Sequence, residues 1–543
     1  MMAAVAKQPE WGRLAAGDGS CAQLVARARW ASGGLAAMEH VGAELVRLAD
    51  QDPETAGELL GLAAGNLDLL MNLDGLARHE RFLGEPPGPD HRWCDQARDR
   101  LERSGPPAGA AVAALASLHA DGRVRERAVA VMTEPSTFAD HAYAFVPFLV
   151  LRTTDWVAPI RDKARAALVL ALNRWPDLLF SAAPTALRLA RRGNAAFVQA
   201  QVRAALATAP DEVFGGFLDA ADPKLRRLAA AVPGRLAVAE LTIRAPFETD
   251  RLTRLRFAEA AAREIVWSAR YRLLDQLLGS RYPDVRAVAV TALVRAGLAR
   301  QATDYLADPG QLVRAVARDA ARRCGVDALE RYRELVSARQ VAPAALYGLA
   351  EAADRDPTGE IRGLIEPHLS DPAPRIRTAA VVALGMLNAI DTSRLLGLLH
   401  DPAPAVVRAA AYRLEPDASW LDPLPLLAIV ADPSRSASAR KAVYRLVGKR
   451  GPEARLAAIL TAIAGGDEQL AEHAEFDLHW ITTISVLTKP PASPTAHEGQ
   501  RLHAFKLDRG IVPDLYERFS AARPRLAPKA AEALDRLFAA TWR

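Results

Sequence analysis

The side chains best suited to chemistry in this sequence are arginines, and they come in groups. Arg314, Arg318 and Arg322 are spaced four apart, with Arg323 beside them. On an α-helix that spacing makes a single stripe about 12 Å long. A second group comprises Arg251, Arg254, Arg256, Arg263, Arg270 and Arg272, with Trp267 and Tyr271 interleaved. Arg188, Arg191 and Arg192 form a third, ending at Gly193. A guanidinium presents a planar fork of donors that matches a carboxylate or a phosphate. Arranged along a groove, such stripes would suit a phosphate backbone. The plainer reading is a solvated helix face, partly neutralised by Glu259, Glu264 and Asp319. The candidate binding residues are therefore Arg251, Arg254, Arg256, Arg263, Trp267, Arg270, Arg314, Arg318 and Arg322.

Signals for other chemistry are thinner. His473 and Asp477 share a helix face and His479 follows, but His479 falls elsewhere on the helical wheel, and neither Cys-x-x-Cys nor His-Glu-x-x-His occurs. No metal and no cofactor are expected. Cys21, Cys94 and Cys324 are far apart and odd in number, which argues against a disulfide framework and fits a reducing cytoplasm. Cys324 falls where neighbouring repeats place Ala or Leu, so it reads as a small core residue, not a nucleophile. No glycine-rich phosphate loop, nucleophile elbow or kinase signature is present, and no catalytic residue is assigned. The segment Phe145–Trp156, FVPFLVLRTTDW, is unusually apolar and aromatic; it reads as core, with an exposed docking patch as the alternative.

The elements that must position these residues follow a repeat. An Asp-Pro or similar turn leads, after a few residues, to an aliphatic residue, an arginine and an alanine-rich helix. Asp308-Pro309 precedes Val313-Arg314, Asp371-Pro372 precedes Ile376-Arg377, and Asp401-Pro402 precedes Val407-Arg408. Arginines 226, 256, 286, 314, 377, 408 and 440 are separated by 30, 30, 28, 63, 31 and 32 residues, the 63 spanning two periods. A period near 30 holds two helices and two tight turns. Val285, Val288, Ala289, Ala292, Leu293 and Ala296 recur at helical spacing, as do Ile376, Ala379, Ala380, Ala383, Leu384 and Leu387. A helix pair cannot bury such a stripe alone, so consecutive pairs must stack. The arginine after the aliphatic residue lies off that stripe, and its expected partner is the turn aspartate of a neighbouring repeat, in a ladder between layers. The aspartate itself is expected to accept the first amides of the helix it precedes.

This D-P-x-x-x-V-R-x-A-A pattern resembles the short HEAT-like repeats of phycobilin lyase relatives and of many bacterial scaffold proteins. The resemblance implies an all-α solenoid over residues 111–465. Residues 1–110 are expected to form an N-terminal helical cap, and residues 466–543 a C-terminal cap with a Pro-rich loop at 488–495. It says little about activity. Half the residues are apolar, 24% are charged and the net charge is +5, the balance of a folded chain with only a weak basic bias. No apolar run approaches a membrane span, and an early Glu10 and Arg13 speak against a secretory signal, so a cytoplasmic location is expected. The expected function is a non-enzymatic scaffold whose concave surface holds a protein partner. The alternatives are a nucleic-acid-binding solenoid with an arginine-lined groove, similar in shape to HEAT-like DNA glycosylases, and a lyase-like enzyme.

Overall fold

The computed structural model describes residues 67–79, 97–101, 110–353, 355–487 and 512–542. The expectations for residues before 67, Cys21, Cys94 and the Pro-rich stretch 488–495 lie outside the described residues. Regular structure among the described residues is entirely helical. The chain divides into two compact units, Met1–Ala261 and Ala262–Arg543.

In the first unit the helices that bear on function are α1 (Leu67–His79), α2 (Gly122–Met132), α3 (Pro135–Arg152), α4 (Ala158–Arg174) and α5 (Pro223–Ala230). Helix α6 (Arg251–Trp267) runs across the division. In the second unit they are α7 (Pro283–Arg295), α8 (Gln311–Arg323), α9 (Ala328–Val336), α10 (Pro343–Ala353), α11 (Pro374–Met386), α12 (Pro404–Leu414) and α13 (Ala437–Lys449). They are followed by α14 (Pro452–Ala464), α15 (Glu468–Leu487), α16 (Val512–Ala522) and α17 (Pro528–Trp542).

Within the second unit α7 packs on α8, α8 on α10, α10 on α11, α11 on α12, and α12 on α13. Each of these is the second helix of its pair, and a shorter first helix such as α9 packs alongside. The protein is an all-α solenoid of HEAT-like helix pairs. One continuous apolar core runs through this unit from Leu306 to Phe538. The stripe read from the sequence supplies it: Ile376, Ala379, Ala380, Ala383 and Leu384 are buried, as are Val313, Ala317, Ala320 and Ala321. Alanine dominates because stacked helices must approach closely. At Gly348 even a methyl group would meet the ring of Tyr332 at 2.1 Å. That ring is fully buried and its hydroxyl donates to the Leu306 carbonyl at 2.8 Å. Cys324 does not sit in the core; it caps the C-terminus of α8, half-buried, because the helix ends one residue before it.

The turns use their aspartates in two ways. Asp222 is a direct N-cap, accepting from the Lys224 amide with Pro223 in the first turn of α5. In the DPAP turns the helix starts later, at Pro374 or Pro404, so Asp371 and Asp401 lie outside it. Each there accepts the amide two residues on, from Ala373 and Ala403 at 2.7 Å, and thereby folds the turn. This corrects the expectation that these aspartates cap the helix directly.

Candidate functional site: buried and exposed arginines

The repeat arginines are held by one recurring geometry. Arg125, Arg226, Arg254, Arg286, Arg314, Arg377 and Arg440 are each the fourth residue of a second helix. A helical side chain points back toward its own N-terminus, so a long one at this position reaches over the turn that precedes it. Nη1 of Arg377 donates to the carbonyls of Asp371 and Pro372, six and five residues back. Arg125, Arg226, Arg254 and Arg314 do the same with their own turns. In Arg125, Arg226, Arg286, Arg314, Arg377 and Arg440 the fork also pairs with a carboxylate of the next repeat. Arg377 meets Asp401 through two bonds of 2.8 Å, Arg286 meets Asp308 at 2.8 and 2.7 Å, and Arg125 meets Asp155 at 2.9 and 3.0 Å. Arg226 uses Glu248 in this way, and Arg440 uses Asp467. The carboxylates that take the arginines also fold their own turns, Asp308 accepting the Gly310 amide and Asp155 the Val157 amide. This is the interlayer ladder that the repeat pattern predicts.

Burial would raise the Asp401 carboxyl, but hydrogen bonds from Arg377 and the Ala403 amide hold it below the ordinary carboxylate value. At Asp155 burial is again opposed, by the Arg125 hydrogen bond and the Arg152 charge, and the carboxyl is likewise held low. This rung is a node. Arg152 bonds both Asp155 and Asp74 of α1, and Arg192 bonds Asp74 from the other side at 2.9 Å. Arg125, Arg152, Asp155 and Asp74 are each no more than 1% exposed.

The candidate arginines divide accordingly. Arg314 and Arg318 are not a free stripe, because both engage Glu351 of α10, and Arg314 also lies 5.5 Å over the Tyr347 ring. Arg322 is exposed and only loosely paired, with Asp319 at 3.4 Å. In the first unit Arg254 is buried on the Phe257, Ala258 and Ala261 face of α6, whereas Arg251 and Arg256 are exposed. Arg256 donates to the Arg227 carbonyl. In the second unit Arg263 is exposed, Trp267 is 88% exposed, and Arg270 contacts Ser268 and, at 3.9 Å, Glu264. Of the third group, Arg188 pairs with Asp68 and Arg192 with Asp74.

Two arginines that the sequence period places in the ladder lie outside it. Arg256 is the sixth residue of α6 and Arg408 the fifth of α12, where the fourth is the buried Val407. A shift of one residue turns the side chain about 100° around the helix, and Arg408 points outward, donating to the Ser438 hydroxyl at 2.6 Å. The signal was present: counted from the helix start, and not from the preceding arginine, the register separates the two sets.

Near His473 and His479, Asp477 is taken by the Tyr444 hydroxyl at 2.7 Å and by Arg455 at 3.4 Å, with His473 edge-on to the Tyr444 ring. Burial first, and the bond to Asp477 second, push the Tyr444 phenol well above its usual value. Phe145, Val146, Phe148, Leu149, Val150 and Leu151 are fully buried, so this segment is core. Trp156, at its end, is 71% exposed with Arg125 over its ring.

No protein family's model matches the chain. No curated protein matches it in sequence. Among solved structures it is similar to Kap95p bound to RanGDP, at 12% identity over 83% of this chain and 69% of that one, with a TM-score of 0.26. It is similar to importin beta at 12% identity, covering 95% of this chain and 68% of that one, with a TM-score of 0.27. The Pds5–Scc1 complex gives 10% identity over 86% and 72%, with a TM-score of 0.17. Superposition at this level adds nothing to the assignment of HEAT-like helix pairs, which rests on the stacking and the ladder. No helix among the described residues is long and apolar enough to cross a membrane.

Proposed function

We propose that the protein is a non-enzymatic scaffold that binds a protein partner along the exposed face of its second helices. The supporting observation is how the arginines are divided. The repeat arginines are consumed in holding layers together, which leaves a separate set of side chains on the outer face of the same helices. That face carries exposed tyrosine and arginine, as at Tyr412 and Arg408 of α12, residue types enriched at protein interfaces. Nucleic-acid binding through the stripe at Arg314, Arg318 and Arg322 is less well supported, since the first two already share Glu351 and are held against it.

Affinity capture with the full chain, quantified by mass spectrometry, tests the reading. The expected result is a stoichiometric protein partner that survives nuclease treatment and competes with added purified partner. Recovery of nucleic acid alone, with a mobility shift that weakens steeply with salt, would replace this reading with the nucleic-acid one.

A further inference from the structure

The three stacked second helices α11, α12 and α13 contain eight basic residues and no Asp or Glu. Three of the eight are occupied inside the fold. Arg377 and Arg440 are ladder rungs, and Arg413 crosses to the carbonyls of Val382 and Gly385 on α11. Gly385 makes room for that crossing, since a methyl there would lie 2.3 Å from the Arg413 Nε. Arg375, Arg408, Lys441, Arg445 and Lys449 remain, with no carboxylate partner among the described residues.

Helix register places them on one side: Arg408 and Lys441 are each the fifth residue of their helices and Tyr412 and Arg445 each the ninth, with Arg375, Arg408, Arg445 and Lys449 exposed and Lys441 half-buried. The Arg408–Ser438 bond joins the outer faces of α12 and α13, and the Arg413 crossing sets the C-terminal ends of α11 and α12 side by side. Lys441, Arg445 and Lys449 are four apart, a stripe about 12 Å long on α13. Tyr412, one turn beyond Arg408, is 66% exposed, and Met386 at the end of α11 is 39% exposed. The surface thus offers apolar anchors beside unpaired cations.

It also has ends. The preceding second helix, α10, has no Lys or Arg, and its one charge, Glu351, is committed to Arg314 and Arg318. The following helix in the stack, α15, presents Glu472 and Glu475 to solvent. A nucleic acid continuing past α13 would meet these carboxylates, whereas a short acidic segment would not need to. At about 9 Å between stacked helices, three helices span roughly 20 Å, which an extended chain covers in about six residues.

We propose, on the scaffold reading above, that Arg375, Arg408, Tyr412, Lys441, Arg445 and Lys449 form the docking face for a short acidic peptide segment carrying an apolar or aromatic anchor. Fluorescence anisotropy with the full chain tests it. The probes are a labelled peptide of about ten residues, with Asp and Glu flanking a Leu-Phe centre, its counterpart with Lys at every acidic position, and single-stranded DNA of about 20 nucleotides. The expected result is saturable binding of the acidic peptide alone, weakening with salt. Lys441→Glu with Arg445→Glu lowers its affinity by about tenfold or more, and Tyr412→Ala lowers it by about threefold. Arg331→Glu with Arg339→Glu, on and just after the first helix α9, an equal change of charge away from this face, leaves it unchanged; circular dichroism confirms that each variant is folded. DNA binding at least as tight as the acidic peptide, equal losses in the α9 and α13 variants, or a second copy of the chain found to occupy the face by sedimentation overturns the proposal. A native partner captured equally by wild type and the α13 variant removes this face while leaving the scaffold reading intact.

Discussion

The rung at Arg125–Asp155 and the rung at Arg377–Asp401 share one motif in two environments. Both use the fourth residue of a helix, the carbonyls of its own turn and a bidentate carboxylate from the next repeat. The first is sealed from water and linked to Arg152, Asp74 and Arg192. The second stands alone, with side chains 12% and 8% exposed. The comparison teaches that a repeat motif fixes geometry but not energy. Removing one partner from a sealed network strands a charge where water cannot reach it. At the isolated rung, solvent takes over part of the lost interaction.

The sharpest way to break this comparison is to make the same substitution at both rungs. Asp155→Asn is expected to cost about 3–5 kcal/mol, leaving Arg125 and Arg152 short of a counter-charge in a dry site. Urea denaturation followed by circular dichroism should show the loss, and a cost below that of Asp401→Asn would refute the contrast. Asp401→Asn is expected to cost about 1–2 kcal/mol, a charged hydrogen-bond pair discounted for its access to solvent. Replacing the first rung entirely, as Arg125→Met with Asp155→Leu, should be milder than Asp155→Asn alone only if Arg152 and Asp74 can satisfy each other. That sharpens whether the node or the pair is the unit.

Acid should sharpen the contrast further. Both Asp155 and Asp401 are held below the ordinary carboxylate value. Each therefore contributes stability that is complete above the unfolded-state value near 3.8 and is lost as pH falls through the lower folded-state value. Stability measured from pH 6 downward should decline below about pH 4, and each Asn variant should show a shallower decline than wild type. A variant as acid-sensitive as wild type would show that the titrating groups lie elsewhere. The smallest effect is expected outside the ladder. Arg322→Ala, removing only an exposed contact to Asp319, should change stability by less than about 0.5 kcal/mol.

Much of this was legible from the residues alone. The spacing of small apolar side chains specified helices and their buried face, because an α-helix repeats every 3.6 residues whatever surrounds it. The recurrence near 30 specified stacked pairs, because no single pair could cover its own stripe. The arginine and turn-acid chemistry even predicted the ladder. What tertiary structure alone decided was which arginines belong to it. Arg254 and Arg256 differ by two positions in one helix, yet one is buried, on the helix face that carries Phe257 and Ala261, and the other is exposed. Likewise Arg314 and Arg318 read as a free basic stripe until Glu351, 37 and 33 residues away, closes on both. Period is a property of the chain, but whether a charge is spent or available depends on the distant residue that packing brings to it.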